Sequence, residues 1–208
     1  MKGSLIVALI FAAGVLLGIY VTPIQSYIPA ELSEWLLYAL VIQTGIALGA
    51  EGNWLKIKES LSLQSILLPV GTIAGTLLFS AIAGAIAGGW NISDYLAVGS
   101  GLGYYSLSSV LIAEIKSADI GMEAATKLSM LALMVNIVRE MTALIGGPWF
   151  AKVFGKFAPT AAAGVTSMDV NLPMIVRTSG HGILPIAIMH GVVLELCVPL
   201  LVTLFASI

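Results

Sequence analysis

Two stretches decide the predicted fold: VGSGLGYYSLSS at residues 98–109 and AAGVTSMDVNLP at residues 162–173. Each lies inside an apolar window, at about 93–114 and 160–177, and each interrupts it with Gly, Ser, Asp, Asn or Pro. Backbone that leaves a helix at membrane depth survives only where it is buried in protein or lines a wet cavity, because lipid offers no hydrogen-bond partner. The two interruptions therefore predict a functional site within a membrane domain.

The composition sets the class of protein. Of the 208 residues, 59% are hydrophobic and 10% are charged, and the formal net charge is -2, whereas soluble domains carry roughly a quarter charged residues. The chain is therefore a membrane protein, and without a basic run it is not predicted to bind nucleic acid. Cys197 is the only cysteine, which excludes disulfides within the chain and cysteine-based metal sites. We predict no metal site.

Uninterrupted apolar windows predict about five transmembrane helices, because a span needs about 20 residues. They fall at residues 4–21, 35–50, 63–89, 124–146 and 183–205. The first window imitates a secretory signal peptide, but it lacks a small-residue cleavage site and more spans follow, so it is interpreted as a helix. The predicted fold is an all-α polytopic membrane protein with one transmembrane domain over 1–208: two helices in about 1–62, then a core at 63–208 with the broken segments.

The paired interruptions are typical of secondary transporters built from inverted repeats, whose broken helices grip substrate and coupling ion. A faint shared pattern supports the pairing: G-x-x-S-x-S begins at Gly103, and G-x-x-S-x-D begins at Gly164. Each broken segment either crosses the membrane or is a re-entrant hairpin that enters and leaves on one face. We favour the hairpins, and an inverted-repeat transporter core.

Lys and Arg in short loops predict the orientation. Lys2 precedes the first window and two lysines, at 56 and 58, follow the second, while the loop between these windows has none. The N-terminus is therefore predicted to be cytoplasmic. Re-entrant hairpins also place Lys152, Lys156 and Arg177 inside, and either arrangement leaves the C-terminus outside. The protein is predicted to be multi-pass in the cell inner (plasma) membrane, with the lipid bilayer as a partner.

Arg139 and Glu140 stand side by side in the apolar window at 124–146. A charge at the bilayer centre costs about 2.5 to 3.5 kcal/mol on insertion scales and is rare without a function. Asn136 and Glu140 share one helix face, and Arg139 lies about 100° away. Because adjacent residues do not face one another, each charge either takes part in transport or pairs with a neighbouring helix to fix packing. We favour a transport role for Glu140.

The second interruption places Asp169 beside Ser167 and Asn171. A carboxylate among freed helix ends can hold a cation or take a proton, and Asp is also a common N-cap. We expect both uses together. In the first interruption, Tyr105, Ser106 and Ser108 offer hydroxyls for a carboxylate or ammonium group, although small residues also serve plain helix packing.

Three further residues are possible members of the site. His190 lies in an apolar run, where a histidine serves as a packing group or a proton relay. Glu195 follows it and faces either the bundle interior or a partner chain, and Arg177 ends the second broken segment. The G-S-G around Ser100, taken with His181 and His190, imitates a serine hydrolase, but no nucleophile elbow is present. The chain is not predicted to be an enzyme.

Four motifs closely resemble those of the lysine exporter family of bacteria and archaea: GSGLGYYSLSSVL, VREMTALI, GVTSMDVNLPMIVRTSG and IMHGVVLELCVPLL. The resemblance extends over nearly the whole chain. The resemblance implies export of L-lysine in exchange for protons, with no cofactor besides the coupling ion. It also implies that Glu140 and Asp169 match the intramembrane acids of the family that are important for transport. The residues Arg139, Ser106, Ser108, Asn136 and Arg177 lie in the same matching motifs.

One departure from the family is the missing front portion. Full-length members carry additional spans and a further intramembrane acid before the matched region. This implies that either a separate small membrane subunit supplies that part or a homo-oligomer does without it. The prediction is thus a secondary active exporter of L-lysine or a similar cationic amino acid. The alternatives are a membrane assembly subunit that needs such a partner for transport, or a transporter of another small amine or ion.

Overall fold

The computed structural model describes residues 63–208 and, in the first part of the chain, four helical residues, Ala13, Gly14, Leu16 and Leu17. The rest of the predicted window 4–21, the window 35–50 and the charges at residues 2, 56 and 58 lie outside the described residues. The chain divides into two compact units, Met1–Trp54 and Leu55–Ile208. The second unit contains all of the predicted core.

The described part of the second unit is helical throughout, with no strand. We number its α-helices α1 to α7, and short 3-10 segments follow α5 and α6. Their bounds are α1 Leu63–Ala87, α2 Ile92–Gly99, α3 Tyr105–Ile120, α4 Met122–Phe154, α5 Ala158–Ala163, α6 Leu172–Ser179 and α7 Leu184–Ala206, with the 3-10 segments at Gly164–Met168 and His181–Ile183.

Three helices of the described region are long and apolar enough to cross a membrane. They span Ile66–Ala87, Met122–Phe154 and His181–Ala206, which confirms the predicted windows at 63–89, 124–146 and 183–205. The outward side chains are apolar because lipid, not water, surrounds such helices; Phe79 and Ile86 on α1 are 71% and 81% exposed. The all-helical membrane class is therefore confirmed for these residues.

The first interruption joins two antiparallel arms, α2 and α3, through residues 100–104, here called the first tip. Lys116, near the end of α3, places its Nζ 3.0 Å from Oδ1 of Asp94, near the start of α2. If the arms were collinear, the intervening residues would separate these ends by about 30 Å. The contact therefore requires that α3 return to the end from which α2 departed.

The second interruption, residues 164–171, is here called the second tip, and it lies between α5 and α6. Two apolar clusters orient the helices around it. Ala143, in the later part of α4, packs with Ala187 near the start of α7, and Leu128, near the start of α4, packs with Val202 near the end of α7. Because α7 thus runs antiparallel to α4, the chain between them leaves and returns at one end of the bundle.

The buried ion pair between Lys116 and Asp94 gives the first prediction. Replacing Lys116 by alanine leaves the Asp94 carboxylate without its cation. Asp94 is 1% exposed, and removing one partner of a buried ion pair costs about 3 to 5 kcal/mol. The matched control is Lys127→Ala, which breaks the exposed pair with Glu123 at 2.6 Å and should cost at most about 1 kcal/mol. Thermal unfolding in detergent measures both. Equal losses would show that the buried pair does not fasten the hairpin.

Candidate functional site

The two tips meet through their backbones. The N–H of Val165, in the second tip, donates to the carbonyl oxygen of Leu102, in the first tip, at 2.9 Å. Gly164 has φ +68°, and a Cβ added there would overlap that same carbonyl. Only a residue without a side chain allows this approach, because φ > 0 and the missing Cβ are both required. The predicted pair of interruptions is therefore one structural centre.

Asn136, on α4, supports the first tip. Its Oδ1 accepts the N–H of Gly103 at 2.8 Å, while its Nδ2 donates to the carbonyl oxygens of Val98 at 3.3 Å and Ala132 at 2.8 Å. The amide thus supplies partners to backbone groups that the interrupted helix has freed, as backbone at membrane depth requires. The sequence predicts Asn136 as a substrate ligand. In the structure its side-chain amide holds the first tip, and a contact with substrate stays a prediction.

Arg139, one turn further along α4, supports the second interruption. Its Nε donates to the carbonyl oxygen of Ala162 at 3.0 Å, and its Nη2 donates to that of Ala161 at 3.1 Å. A third bond, from Nη1 to Oγ1 of Thr76 on α1, measures 3.2 Å. The guanidinium places its charge at the carboxyl end of α5, where a cation is favourable. These bonds support the packing interpretation for Arg139, and a direct role in the cation path stays a prediction.

The fork of Arg139 gives a second prediction. Arg139→Lys keeps the charge but replaces a planar fork by a point charge, which cannot bind two carbonyls in the same geometry. We expect a loss of about 2 kcal/mol, since a hydrogen bond to a charged group contributes about 1.5 to 3 kcal/mol. Thermal unfolding in detergent measures it, with Arg177→Lys, an exposed arginine on α6, as the matched control. A variant as stable as that control would contradict the clamp.

Glu140 differs from its neighbour because no described cation faces it. It is 6% exposed, and none of the ion pairs among residues 63–208 includes it. It lies within electrostatic range of Asp169, in the second tip, and of Tyr105, at the start of α3. A buried carboxylate at a membrane centre is expensive without a partner. Its position suits a site that receives a cation.

Asp169 lies where three acidic side chains gather. Glu195, on α7, is within electrostatic range of Asp169, as is Glu140 from α4, and we call these three residues the acidic cluster. The carboxylate of Asp169 accepts the N–H of Val170. The helix α6 has Asn171 at its N-cap position, without a side-chain capping bond, so the predicted capping by Asp169 is limited to this neighbouring amide. Glu195 is half-buried, and both predicted possibilities for it, the bundle interior and a partner chain, stay predictions.

The remaining polar groups of the second tip are fixed from inside. Ser167 is fully buried, and its Oγ donates to the carbonyl oxygen of Ala187 at 2.9 Å. Asn171 is also fully buried; its Nδ2 donates to Oγ1 of Thr166 at 2.7 Å, whereas its Oδ1 has no hydrogen-bond partner. An unpaired buried acceptor is costly, so this oxygen is suited to an ammonium group or a water.

The first turn of α3, directly after the first tip, contributes one aromatic and two serine hydroxyls. Tyr105 is within electrostatic range of Glu140 and Asp169. Ser108 is fully buried, and its Oγ donates to the carbonyl oxygen of Tyr105 at 3.3 Å; Ser106 is half-buried. The Ser108 hydroxyl retains acceptor capacity while it donates locally. The structure thus gathers the predicted groups of both tips, and their substrate contacts stay predictions.

The structure separates the other candidate residues. Arg177 is exposed on α6, and His190 is fully buried on α7. Ser100 is also fully buried, and its Oγ donates to the carbonyl oxygen of Leu96 at 2.7 Å, whereas the ring nitrogens of His190 contact Ser167 and Thr72. The histidine that a hydrolase would pair with Ser100 is therefore engaged elsewhere. Among the described residues, no group of three or more His, Cys, Asp or Glu is placed to hold a metal ion.

A cleft of about 460 Å³ opens beside the tips, between α1 and α4. It lies on the Arg139 face of α4 and does not include Glu140 or Asp169 in its lining. A hydrated path between these two acids therefore stays a prediction. The lining residues are Gly75, Thr76, Phe79, Ser80, Ala83, Gly99, Val135, Asn136, Arg139 and Ala162.

Sequence reasoning missed four polar residues that shape this centre. Thr72 and Thr76 lie on α1, in an apolar window where a threonine gives no sign of a function. Their hydrogen-bond partners lie far along the chain. Asp94 and Lys116 are both 1% exposed. Opposite charges near the two ends of one broken segment were a signal for the pair, because buried charges must be compensated.

A family model described as "Lysine exporter LysO" matches residues 8–206. The chain belongs to the lysine exporter LysO family. Membership confirms the resemblance that the four motifs indicated. The matched residues include both interrupted segments and all three acids of the acidic cluster.

Two relatives within the family are informative. The chain is 32% identical over 177 residues to the protein named Lysine exporter LysO of Escherichia coli strain K12, covering 85% of this chain and 56% of that protein. It is 29% identical over 181 residues to a putative lysine exporter of Haemophilus influenzae, covering 87% of each chain. The chain therefore spans little more than half of the first relative. No solved structure matches it.

Proposed function

We propose that this chain is the core of a secondary active exporter of L-lysine, coupled to protons. The observation that carries the proposal is Glu140: a 6% exposed carboxylate beside the crossing of two interrupted helices, within electrostatic range of Asp169 and without a described cation. A site with spare negative charge at membrane depth suits a cationic substrate. Lysine is the substrate named for the relatives of this chain.

The chemistry of lysine fits the groups around the tips. Lysine brings one carboxylate and two ammonium groups, so its site needs acids at one end and donors at the other. Glu140 and Asp169 supply the acids, with the unpaired Oδ1 of Asn171 as a further acceptor. The helix α3 begins directly after the first tip, and the N–H groups of a helix start attract anions. The hydroxyl of Ser106, in the first turn of α3, is a second donor for the carboxylate.

Protons and lysine compete for the same carboxylates in the proposed mechanism. Close carboxylates repel one another, and either a bound ammonium group or a proton relieves that repulsion. The unloaded transporter returns with protons on the acidic cluster, and lysine displaces them on the cytoplasmic side. The proton gradient then drives export, because protons re-enter from outside as lysine leaves. The cluster members with this role are Glu140 and Asp169.

The arrangement of helices supports an inverted repeat with two re-entrant hairpins. In one half, α1 precedes the hairpin of α2 and α3; in the other, α4 precedes the hairpin of α5 and α6. The first hairpin opens toward the start of α4, and the second opens toward its end. Hairpins that enter from opposite faces bring their tips together near the midplane, the usual site of substrate and coupling ion in such transporters.

The charges at the two ends of the bundle support the proposed orientation. At the end where α4 begins, Lys116 and Lys127 are both paired with acids. At the opposite end, three positive residues have no ion pair among residues 63–208: Lys152, Lys156 and Arg177. Positive loops stay cytoplasmic, so the end of α4 faces the cytoplasm and the end of α7 faces outside, in the inner membrane.

Transport by the purified chain tests the proposal. Proteoliposomes containing the full chain and labelled L-lysine receive an imposed pH gradient, with protein-free liposomes as the control. We expect lysine efflux driven by inward protons and abolished by a protonophore. Competition by arginine and ornithine then defines the range of cationic amino acids. Efflux no faster than in protein-free liposomes would reject transport by this chain alone.

A second candidate function is that of a membrane assembly subunit. The chain spans 56% of the Escherichia coli relative, so the activity named for that relative does not by itself show that this chain transports alone. Reconstitution with and without a candidate small membrane protein distinguishes the two functions. Transport only in the presence of the partner supports the subunit, and transport without it supports the autonomous exporter.

A further inference from the structure

His190 is a fully buried histidine that connects three parts of the bundle. Its Nδ1 lies 3.0 Å from Oγ of Ser167, in the second tip, and its Nε2 lies 3.0 Å from Oγ1 of Thr72, on α1. The ring itself belongs to α7. One side chain thus ties the second tip to two of the long membrane helices.

The hydrogen atoms of this bridge are sufficient without a charge on the ring. The Ser167 hydroxyl also reaches the carbonyl oxygen of Ala187 at 2.9 Å, and the Thr72 hydroxyl also reaches that of Leu68 at 2.9 Å. A neutral imidazole donates from one nitrogen and accepts at the other. In either tautomer one hydroxyl receives the ring N–H and donates to its own carbonyl, while the second hydroxyl donates to the ring instead of to its carbonyl. The bridge is complete while the ring carries no extra proton.

The next residue, Gly191, brings α7 directly against the second tip. A Cβ added at Gly191 would lie 2.7 Å from Cβ of Met168 and 2.8 Å from the carbonyl oxygen of Val165. Real Cβ atoms do not approach backbone oxygen so closely, so α7 contacts the tip through bare backbone at this point. His190 and Gly191 together form a dock for residues 165–168, and these residues lead directly into Asp169.

We propose that His190 is a positioning residue, which holds the second tip against α1 and α7 and thereby fixes the place of Asp169. The inference rests on the proposed function only for its effect on transport. A side chain locked by packing and by hydrogen bonds at both ends is what a binding constellation needs from its supporting residues. The ring acts through Ser167 and does not deliver protons.

Variants at both ends of the bridge test the proposal. His190→Leu removes both hydrogen bonds, His190→Gln keeps one donor and one acceptor, and Thr72→Val removes only the bond to α1. The matched control is His181→Gln, since His181 is exposed at the start of the 3-10 segment before α7. Lysine efflux from proteoliposomes gives KM and Vmax. We expect a KM about tenfold higher for His190→Leu, corresponding to misplaced ligands, with partial rescue in His190→Gln and an intermediate value in Thr72→Val.

A second measurement does not depend on transport. In a Cys197→Ser background, the only thiol is introduced by Val170→Cys in the second tip, at a residue that is 43% exposed. N-ethylmaleimide should label this thiol several-fold faster in detergent when His190 is leucine or Thr72 is valine, because the tip is released. If His190→Leu does not fold, His190→Gln and Thr72→Val provide the comparison. The His181→Gln control should label at the rate of the parent.

The outcomes separate the inference from the proposed function. Unchanged labelling and unchanged KM in the His190 variants would overturn the positioning role. Unchanged KM with lost proton counterflow in His190→Gln would also overturn it, in favour of a proton carrier. If the parent chain moves no lysine, the labelling rates alone decide whether His190 holds the tip, and the failure then belongs to the proposed function.

Discussion

Glu140→Gln should strongly reduce lysine efflux while the protein remains folded. The substitution keeps the shape of the side chain and removes the charge that we propose for the ammonium group or the coupling proton. A hydrogen bond to a charged group contributes about 1.5 to 3 kcal/mol, so we expect efflux to fall by about tenfold to a hundredfold. Proteoliposomes with an imposed pH gradient measure lysine efflux and proton counterflow together.

Stability distinguishes a functional acid from a packing device. Glu140 is 6% exposed, and no described cation pairs with it, so the folded state bears the cost of burying its charge. Glutamine removes that cost and fills the same volume. We therefore expect the melting temperature of Glu140→Gln to be unchanged or higher. A packing role predicts the opposite result, in which stability and transport decline together.

The matched control lies on the same helix. Glu123 is the first acid of α4, and its exposed carboxylate pairs with Lys127 at 2.6 Å. Glu123→Gln therefore makes the same chemical change at the surface, where an ion pair contributes at most about 1 kcal/mol. Efflux by this variant should equal that of the parent. Undiminished efflux by Glu140→Gln would remove this residue from the mechanism.

The long helices and the positions of the two tips along the chain follow from the sequence. Apolar length alone predicts α1, α4 and α7, because each must cover the same thickness of lipid. The tips were predictable for the converse reason, since Gly, Ser, Asp and Pro in apolar windows are tolerated only where protein supplies hydrogen bonds. That the two tips contact each other was not predictable, because the bond from Val165 to Leu102 joins backbone atoms and leaves no trace in residue types.

Arg139 and Glu140 show where sequence reasoning about the site stops. Both are charges in one apolar window, and periodicity separates their faces without saying what each face meets. In the structure Arg139 meets the freed carbonyls of α5, so its charge serves the backbone. Glu140 meets no described cation and remains available for substrate. His190 is a similar case, since its partner on α1 lies 118 residues away.

Among substitutions that add one methyl group at this centre, Gly164→Ala should destabilise the folded protein most. Gly164 has φ +68° and ψ -133°, a sparsely populated region that costs a residue with a Cβ about 1 to 3 kcal/mol. Its added Cβ would also overlap the carbonyl of Leu102, the acceptor for Val165. The chain cannot relieve the overlap without separating the tips, and overpacking costs a further amount of about 1 to 3 kcal/mol. We expect a loss of folded protein, and no lysine efflux from any that remains.

A second glycine isolates the contribution of the contact between the two tips. Gly155, between α4 and α5, has φ +91°, and a Cβ added there would meet nothing within 4 Å. Gly155→Ala therefore carries the backbone strain without the overlap, and it should lower stability by only about 1 to 3 kcal/mol. Melting temperatures and folded yields in detergent compare the two variants. If they are equal, the approach of Gly164 to Leu102 is not required for folding. If Gly164→Ala is much the worse, the contact between the tips is what holds the acidic cluster together.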